Sequence, residues 1–177
     1  MMTDQELMTI VDSYNGDPAR ALVSMLKERG LTITFAESCT GGLASSGIVG
    51  IPGASEVFYG GVVSYDNSVK ENVLKVSKET LDTVGAVSYE CAEQMASGVR
   101  KLMNTDIAVS ATGVAGPGGG TVEKPVGTVF VGYSDSKRTI SIKTFSEGDR
   151  QQIRNMTCLK MYALVLSFLT EKDEERD

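Results

Sequence analysis

The sequence predicts an α/β protein: a three-layer α/β/α sandwich around a mixed, mostly parallel sheet that ends in an antiparallel hairpin. Three observations predict it. Short β-branched or apolar runs alternate with helical patterns along most of the chain. Two of those runs, at residues 32–35 and 106–111, pass directly into glycine-containing turns, TITFAESCTGG and DIAVSATGVAGPGGG, where an α/β fold presents backbone N–H groups to a ligand. Two later runs, 127–133 and 139–145, are joined across Ser134-Asp135-Ser136-Lys137, a hairpin connection.

Each element has a local reason. Thr3 and Glu6 stand in capping-box spacing before a helix over residues 3–12 with Leu7, Ile10 and Val11 on one face. Asn15-Gly16 breaks it, and Asp17-Pro18 caps and starts a second helix that runs to Arg29, with Leu22, Met25 and Leu26 inside, and closes at Gly30. The first strand follows at once, and the apolar run 43–51 predicts the helix after it. Residues 57–65 read as a strand interrupted by Gly60-Gly61, which signals a bulge or a close backbone approach. Ser68 caps a short helix carrying Lys70, Val73 and Leu74, and residues 78–84 form a weaker helical turn. Ser88 opens a clearer helix to about residue 104, with Ala92, Met95, Val99, Leu102 and Met103 as its buried stripe. Asp149 and Gln152 are spaced to cap the last helix, whose face is Ile153, Met156, Met161, Leu164, Val165 and Phe168. One domain is expected over residues 1–170, followed by a charged tail at 171–177 that frays.

Composition narrows the function classes. The chain has 177 residues, 41% hydrophobic and 23% charged, as in an ordinary soluble globular protein, and a net charge of −6. That charge argues against a general nucleic-acid or anionic-membrane surface. No apolar run reaches a membrane span and the start lacks a basic signal-peptide region, so a cytoplasmic location is expected. Cys39, Cys91 and Cys158 are too scattered for a metal-spaced pair or a disulfide framework. There is no histidine, which removes Ser-His and Cys-His catalysis and the commonest zinc sets. A general base must then be Lys, Tyr, Asp or Glu, and no metal or cofactor is expected.

Ser38 stands at a helix entry with Thr40, Gly41 and Gly42 next, where N–H groups can hold an oxyanion or phosphate; Ser38 and Thr40 serve equally well as simple N-caps. Tyr65 ends a strand and Lys70 lies five residues later, so both can point over one sheet edge. A desolvated lysine can serve a serine as base if its ordinary pKa of about 10.4 is lowered; a solvated helix lysine and a strand tyrosine are the plain alternatives. Cys39 competes as nucleophile, but a small buried residue is the preferred reading. Glu37 either orients a base, binds a sugar hydroxyl or complements a helix dipole. The 112–120 loop suits close approach of a phosphate or ribose but lacks a P-loop lysine. Arg150, with Arg154 one turn on, offers a cation for a phosphate.

AESCTGG (36–42), GGVVSYDNSVK (60–70), GAVS (85–88), TGVAGPGGG (112–120) with KPVGTV (124–129), and FSEGDR (145–150) resemble, in this order, the CinA C-terminal family. The resemblance covers about residues 7–169. Stand-alone members of that family are nicotinamide-nucleotide amidases, so it implies hydrolysis of nicotinamide mononucleotide to nicotinate mononucleotide and ammonia, without a metal. The family's nucleophilic serine falls on Ser38, its tyrosine on Tyr65 and its lysine on Lys70. Thr40, Gly41, Gly42, Gly61, Thr112, Gly113, Ala115, Gly116 and Arg150 fall where substrate is held. A homodimer is expected from the same resemblance. The pyrophosphatase activity and competence role that go with the N-terminal domain of larger members are not expected here. Two rival readings remain: a silent nucleotide-binding module, and an amidase for a related pyridine carboxamide.

Overall fold

The computed structural model describes residues 2–174, with side chains described through residue 170. Its five strands are β1 (Ile33–Glu37), β2 (Phe58–Val63), β3 (Ile107–Gly113), β4 (Thr128–Ser134) and β5 (Thr139–Phe145), in the order β2-β1-β3-β4-β5. β1 runs parallel to both β2 and β3, whereas β4 is antiparallel to β3 and to β5. The sheet is therefore mixed, with parallel pairing confined to one half and the expected hairpin at the other edge.

The helices follow their caps. α1 (Asp4–Ser13) carries the full Thr3–Glu6 capping box, and α2 (Pro18–Arg29) starts on Asp17 and closes at Gly30 in the left-handed region, φ 62°. α3 (Leu43–Val49) follows β1, and a single 3-10 turn at Ala54–Glu56 precedes β2. The ladder slips beside Tyr59, where Ile33 pairs with Phe58 but Thr34 with Gly60. A Cβ on Gly61 would stand 2.7 Å from Ser45 Oγ and 3.0 Å from Phe35 O, so both expected reasons for the glycine pair hold.

α4 (Asn67–Asn72) is capped by Asp66, whose carboxylate accepts from Ser68 N at 2.8 Å, rather than by Ser68 as the spacing suggested. α5 (Lys78–Thr83) and α6 (Tyr89–Met103) start on Ser77 and Ser88. α6 buries Ala92, Met95 and Val99, but Leu102 is 51% exposed. Seven residues on from Met95, it lies only about 20° off that stripe at 100° per residue, but it stands in the last turn of the helix.

α7 (Arg150–Glu174) begins with the expected box: Asp149 Oδ1 accepts from Gln152 N at 2.9 Å, and Asp149 N donates to Gln152 Oε1 at 2.8 Å. Its backbone is helical as far as Glu174; the rest of the tail expected to fray lies outside the described residues. α6 covers one face of the sheet, α3 and α7 the other, and α1 and α2 pack on α7 from outside. That outer cover is why α7 is buried not on one stripe but all round, from Lys160 to Leu169. Among the described residues no helix is long and apolar enough to cross a membrane.

Candidate active site

The chain leaves β1 for β2 through α3 on one face of the sheet and leaves β2 for β3 by a crossover that ends in α6 on the other, so the connections after β1 and β2 diverge to opposite faces. A crevice outside the carboxyl ends of parallel strands at such a switch point is the usual ligand position. Here it is a cavity of about 200 Å³ lined by Ser38 and Cys39 after β1, Tyr65, Asn67 and Lys70 after β2, Ala86 and Val87 before α6, Thr112, Gly113 and Ala115 from the end of β3, and Arg150 at the start of α7. Ser38, Tyr65 and Lys70, separated by up to 32 positions in sequence, are thus brought to one recess.

Lys70 is 1% exposed. Its ammonium donates to Ser64 O at 2.8 Å and Tyr65 O at 3.1 Å, and among the described residues no carboxylate lies within ion-pairing distance. Burial pushes its pKa below the ordinary lysine value; Cys91 and Asp66 oppose that shift less strongly. Tyr65, by contrast, is 62% exposed and its hydroxyl accepts from Arg150 Nη2 at 3.2 Å. Arg150 Nη1 also donates to Gly116 O at 2.7 Å, so one guanidinium straps the β2 loop to the glycine-rich loop across the mouth. Thr112 lines the wall, but its hydroxyl is committed to Ala86 O at 2.7 Å.

Glu37 ends β1 wholly buried. Its carboxylate accepts from Gly42 N (3.0 Å), Ala44 N (3.0 Å), Ser45 N (2.8 Å) and Ser45 Oγ (2.6 Å). Of its three sequence readings, the helix-entry one is what the geometry shows. The consequence is that the α3 entrance is already filled by a carboxylate. Gly41 N is likewise committed, to Ser38 O at 3.2 Å. Thr40, Gly41 and Gly42 therefore lie behind the cavity wall rather than on it, and Gly61 sits within the sheet against Ser45.

Cys39 is buried, and burial pushes its thiol up to about 12, with Glu37 adding to the shift. A thiol so disfavoured as thiolate is a poor nucleophile at neutral pH. Arg154 does not face a phosphate position as the sequence suggested: it donates to Cys39 O, Thr40 O and Gln151 Oε1. Asn67, Ala86 and Val87 line the cavity without having been singled out from sequence. Asn67 sat within the YDNSVK motif, and Ala86 and Val87 within GAVS, which were the available signals.

The model of the CinA C-terminal domain matches residues 16–169 of the chain. Over 138 residues the chain is 49% identical to the CinA-like protein of Thermotoga maritima, which takes in 78% of this chain and 34% of that protein. It spans about a third of the length of the curated relatives it matches. Among solved structures it superposes on a CinA superfamily protein of Klebsiella pneumoniae with a TM-score of 0.84 and 30% identity, covering 87% of this chain and 96% of that one. The competence/damage inducible protein CihA of Agrobacterium tumefaciens gives a TM-score of 0.80 at 33% identity, covering 96% and 99%.

Proposed function

This chain belongs to the CinA C-terminal domain family, and on that premise we propose that it is a metal-free serine amidase converting nicotinamide mononucleotide to nicotinate mononucleotide and ammonia. The observation that carries the reading is Lys70: a buried lysine held by two carbonyls, with its charged form disfavoured, in the same recess as Ser38. Neutral Lys70 takes the proton of Ser38, directly or through Tyr65, as Ser38 Oγ attacks the carboxamide carbon. Of the N–H groups in the turn after β1, those of Gly41 and Gly42 are committed to Ser38 O and Glu37, so the oxyanion falls to Cys39 N–H, whose residue lines the cavity. Collapse breaks the C–N bond, and the proton held by Lys70 leaves with the amine as ammonia. Water then attacks the acyl ester, passes its proton to Lys70, and Ser38 recovers it as the carboxylate departs.

A recess of about 200 Å³ suits the pyridine ring with its carboxamide; whole small-molecule sites are larger, about 300–1,000 Å³. Ribose and phosphate would then lie at the mouth, beside Arg150 and the glycine-rich loop. A homodimer rests on the family resemblance alone, and a cytoplasmic location on the sequence composition.

The test is ammonia release from the mononucleotide by purified protein and by Ser38→Ala, with chelator present. Release that vanishes in the variant while its fold and mononucleotide binding persist is the expected result. Release that survives the substitution sinks the scheme. Binding without release from the wild type would favour a silent module, and preferential release from nicotinamide or its riboside would favour the related carboxamide.

A further inference from the structure

The pairing of β1 with β2 stops one bond short of where its geometry would carry it. Ala36 pairs with Val62 and Glu37 with Val63, and Ser64 N continues the ladder by donating to Glu37 O at 2.8 Å. In a parallel ladder a residue turns its C=O to the same neighbouring strand that accepts its N–H, so Ser64 O is due to take Cys39 N–H. It does not. Lys70 Nζ holds Ser64 O at 2.8 Å, and among the described residues no oxygen accepts from Cys39 N–H. The neighbouring donors are committed: Ser38 N to Ala111 O, Gly41 N to Ser38 O and Gly42 N to Glu37. Thr40 is wholly buried and off the cavity wall, whereas Cys39 lines it beside Ser38 and Lys70. Cys39 is itself buried, and a buried N–H without an acceptor calls for a reason.

The reach of Lys70 has a local cause. Asp66 caps α4, Lys70 follows four residues later, and helical side chains lean toward the N-terminus, here back over the Ser64 and Tyr65 carbonyls. We propose that Lys70 is also the positioning residue of the oxyanion site: by occupying Ser64 O it keeps the ladder from closing on Cys39 N–H, which stays free for the oxyanion. The inference rests on the amidase reading with Ser38 as nucleophile. A neutral amine has two N–H groups and one lone pair, so with both N–H groups on carbonyls the lone pair is left for the proton of Ser38. Once protonated, the ammonium holds Ser64 O by a charge-assisted bond, about twice as strong as a neutral one. The grip is therefore tightest while the oxyanion exists, and one side chain couples the proton transfer to the donor.

Isotope-labelled wild type and Lys70→Met are compared by NMR, which needs no substrate. A scalar coupling carried through the hydrogen bond from the Cys39 nitrogen to the Ser64 carbonyl carbon is expected to be absent in the wild type and present in Lys70→Met. Exchange of Cys39 N–H should slow about tenfold or more in the variant; mere loss of packing would speed it instead. A coupling in the wild type, or none in the variant, overturns the proposal. If Lys70→Met does not fold by circular dichroism, Lys70→Leu takes its place. The donor itself is read in the wild type with pyridine-3-boronic acid. Ser38 Oγ bonds to boron, its proton passes to Lys70, and boron becomes a tetrahedral anion with a hydroxyl in the oxyanion position. Downfield movement of the Cys39 amide proton on adduct formation supports the proposal; an adduct that leaves it in place, or no adduct, overturns it. Ammonia release separates the two readings. A wild type that passes these tests yet releases no ammonia sinks the amidase reading alone, and one that releases ammonia but fails them sinks only this proposal.

Discussion

Replacing Glu37 by alanine is expected to destabilise the protein by about 3–5 kcal/mol. The carboxylate is buried and takes four hydrogen bonds, three from backbone N–H groups of the α3 entrance and one from Ser45 Oγ. Hydrogen bonds to a charged group contribute about 1.5–3 kcal/mol each, so simple addition would reach roughly 6–12 kcal/mol. Two effects reduce that. Gly42 and Ser45 are half-buried, so water can replace the carboxylate there, whereas Ala44 N–H is enclosed. Removing the residue also ends the penalty of burying its charge. What remains is a large share of a typical total stability of about 5–15 kcal/mol. Urea unfolding followed by far-UV circular dichroism measures it as a lower midpoint with the m-value unchanged. Glu37→Gln keeps the volume and one acceptor oxygen but turns an NH₂ on two donors, and is expected to lose about 2–3 kcal/mol. An alanine variant within about 1 kcal/mol of the wild type would refute the claim that this carboxylate holds the α3 entrance.

Two further expectations concern the cavity. The value of kcat/KM should rise with pH through a midpoint below the ordinary lysine value of 10.5, because only neutral Lys70 accepts the proton and burial favours that form. The unfolded chain binds this proton more tightly than the folded one, so between the two pKa values stability also rises with pH and is lost as pH falls through the folded value. Lys70→Met should abolish the rate and flatten that slope; a variant with an unaltered pH–rate profile removes Lys70 as the base. Arg150→Ala should raise KM for the mononucleotide about 10–100-fold and leave nicotinamide unaffected, as expected for one lost charged hydrogen bond to phosphate. An equal effect on both compounds would take Arg150 off the phosphate.

The elements that were legible in the sequence are those with short-range causes. The Thr3–Glu6 and Asp149–Gln152 boxes, the Asp17-Pro18 start and the Gly30 stop involve groups three or four residues apart, and the chain carries them wherever it goes. The strand–glycine turns at Ser38 and Thr112 were readable for the same reason, and so was the absence of histidine, which left Lys, Tyr, Asp or Glu as candidate bases. The cap of α4 shows the limit even locally: Asp66 and Ser68 both offer an oxygen, and only the backbone at Asp66, extended at ψ 150°, selects one.

What only the tertiary structure decided is which groups meet across the chain. Arg154 grips carbonyls 115 and 114 residues away, and Arg150 reaches Tyr65 across 85. Either arginine, read alone, is a surface cation near a helix start. The all-round burial of α7 depends on α1 and α2 lying outside it, which no periodicity in α7 itself encodes. The state of Lys70 has the same origin. Its sequence neighbours are Val69 and Glu71, but its charge is disfavoured because the Ser64–Tyr65 loop and the elements packed around it exclude water. Residue types set which chemistry is available; desolvation and through-space contact, which exist only once the sheet has closed over its helices, set which of it is switched on.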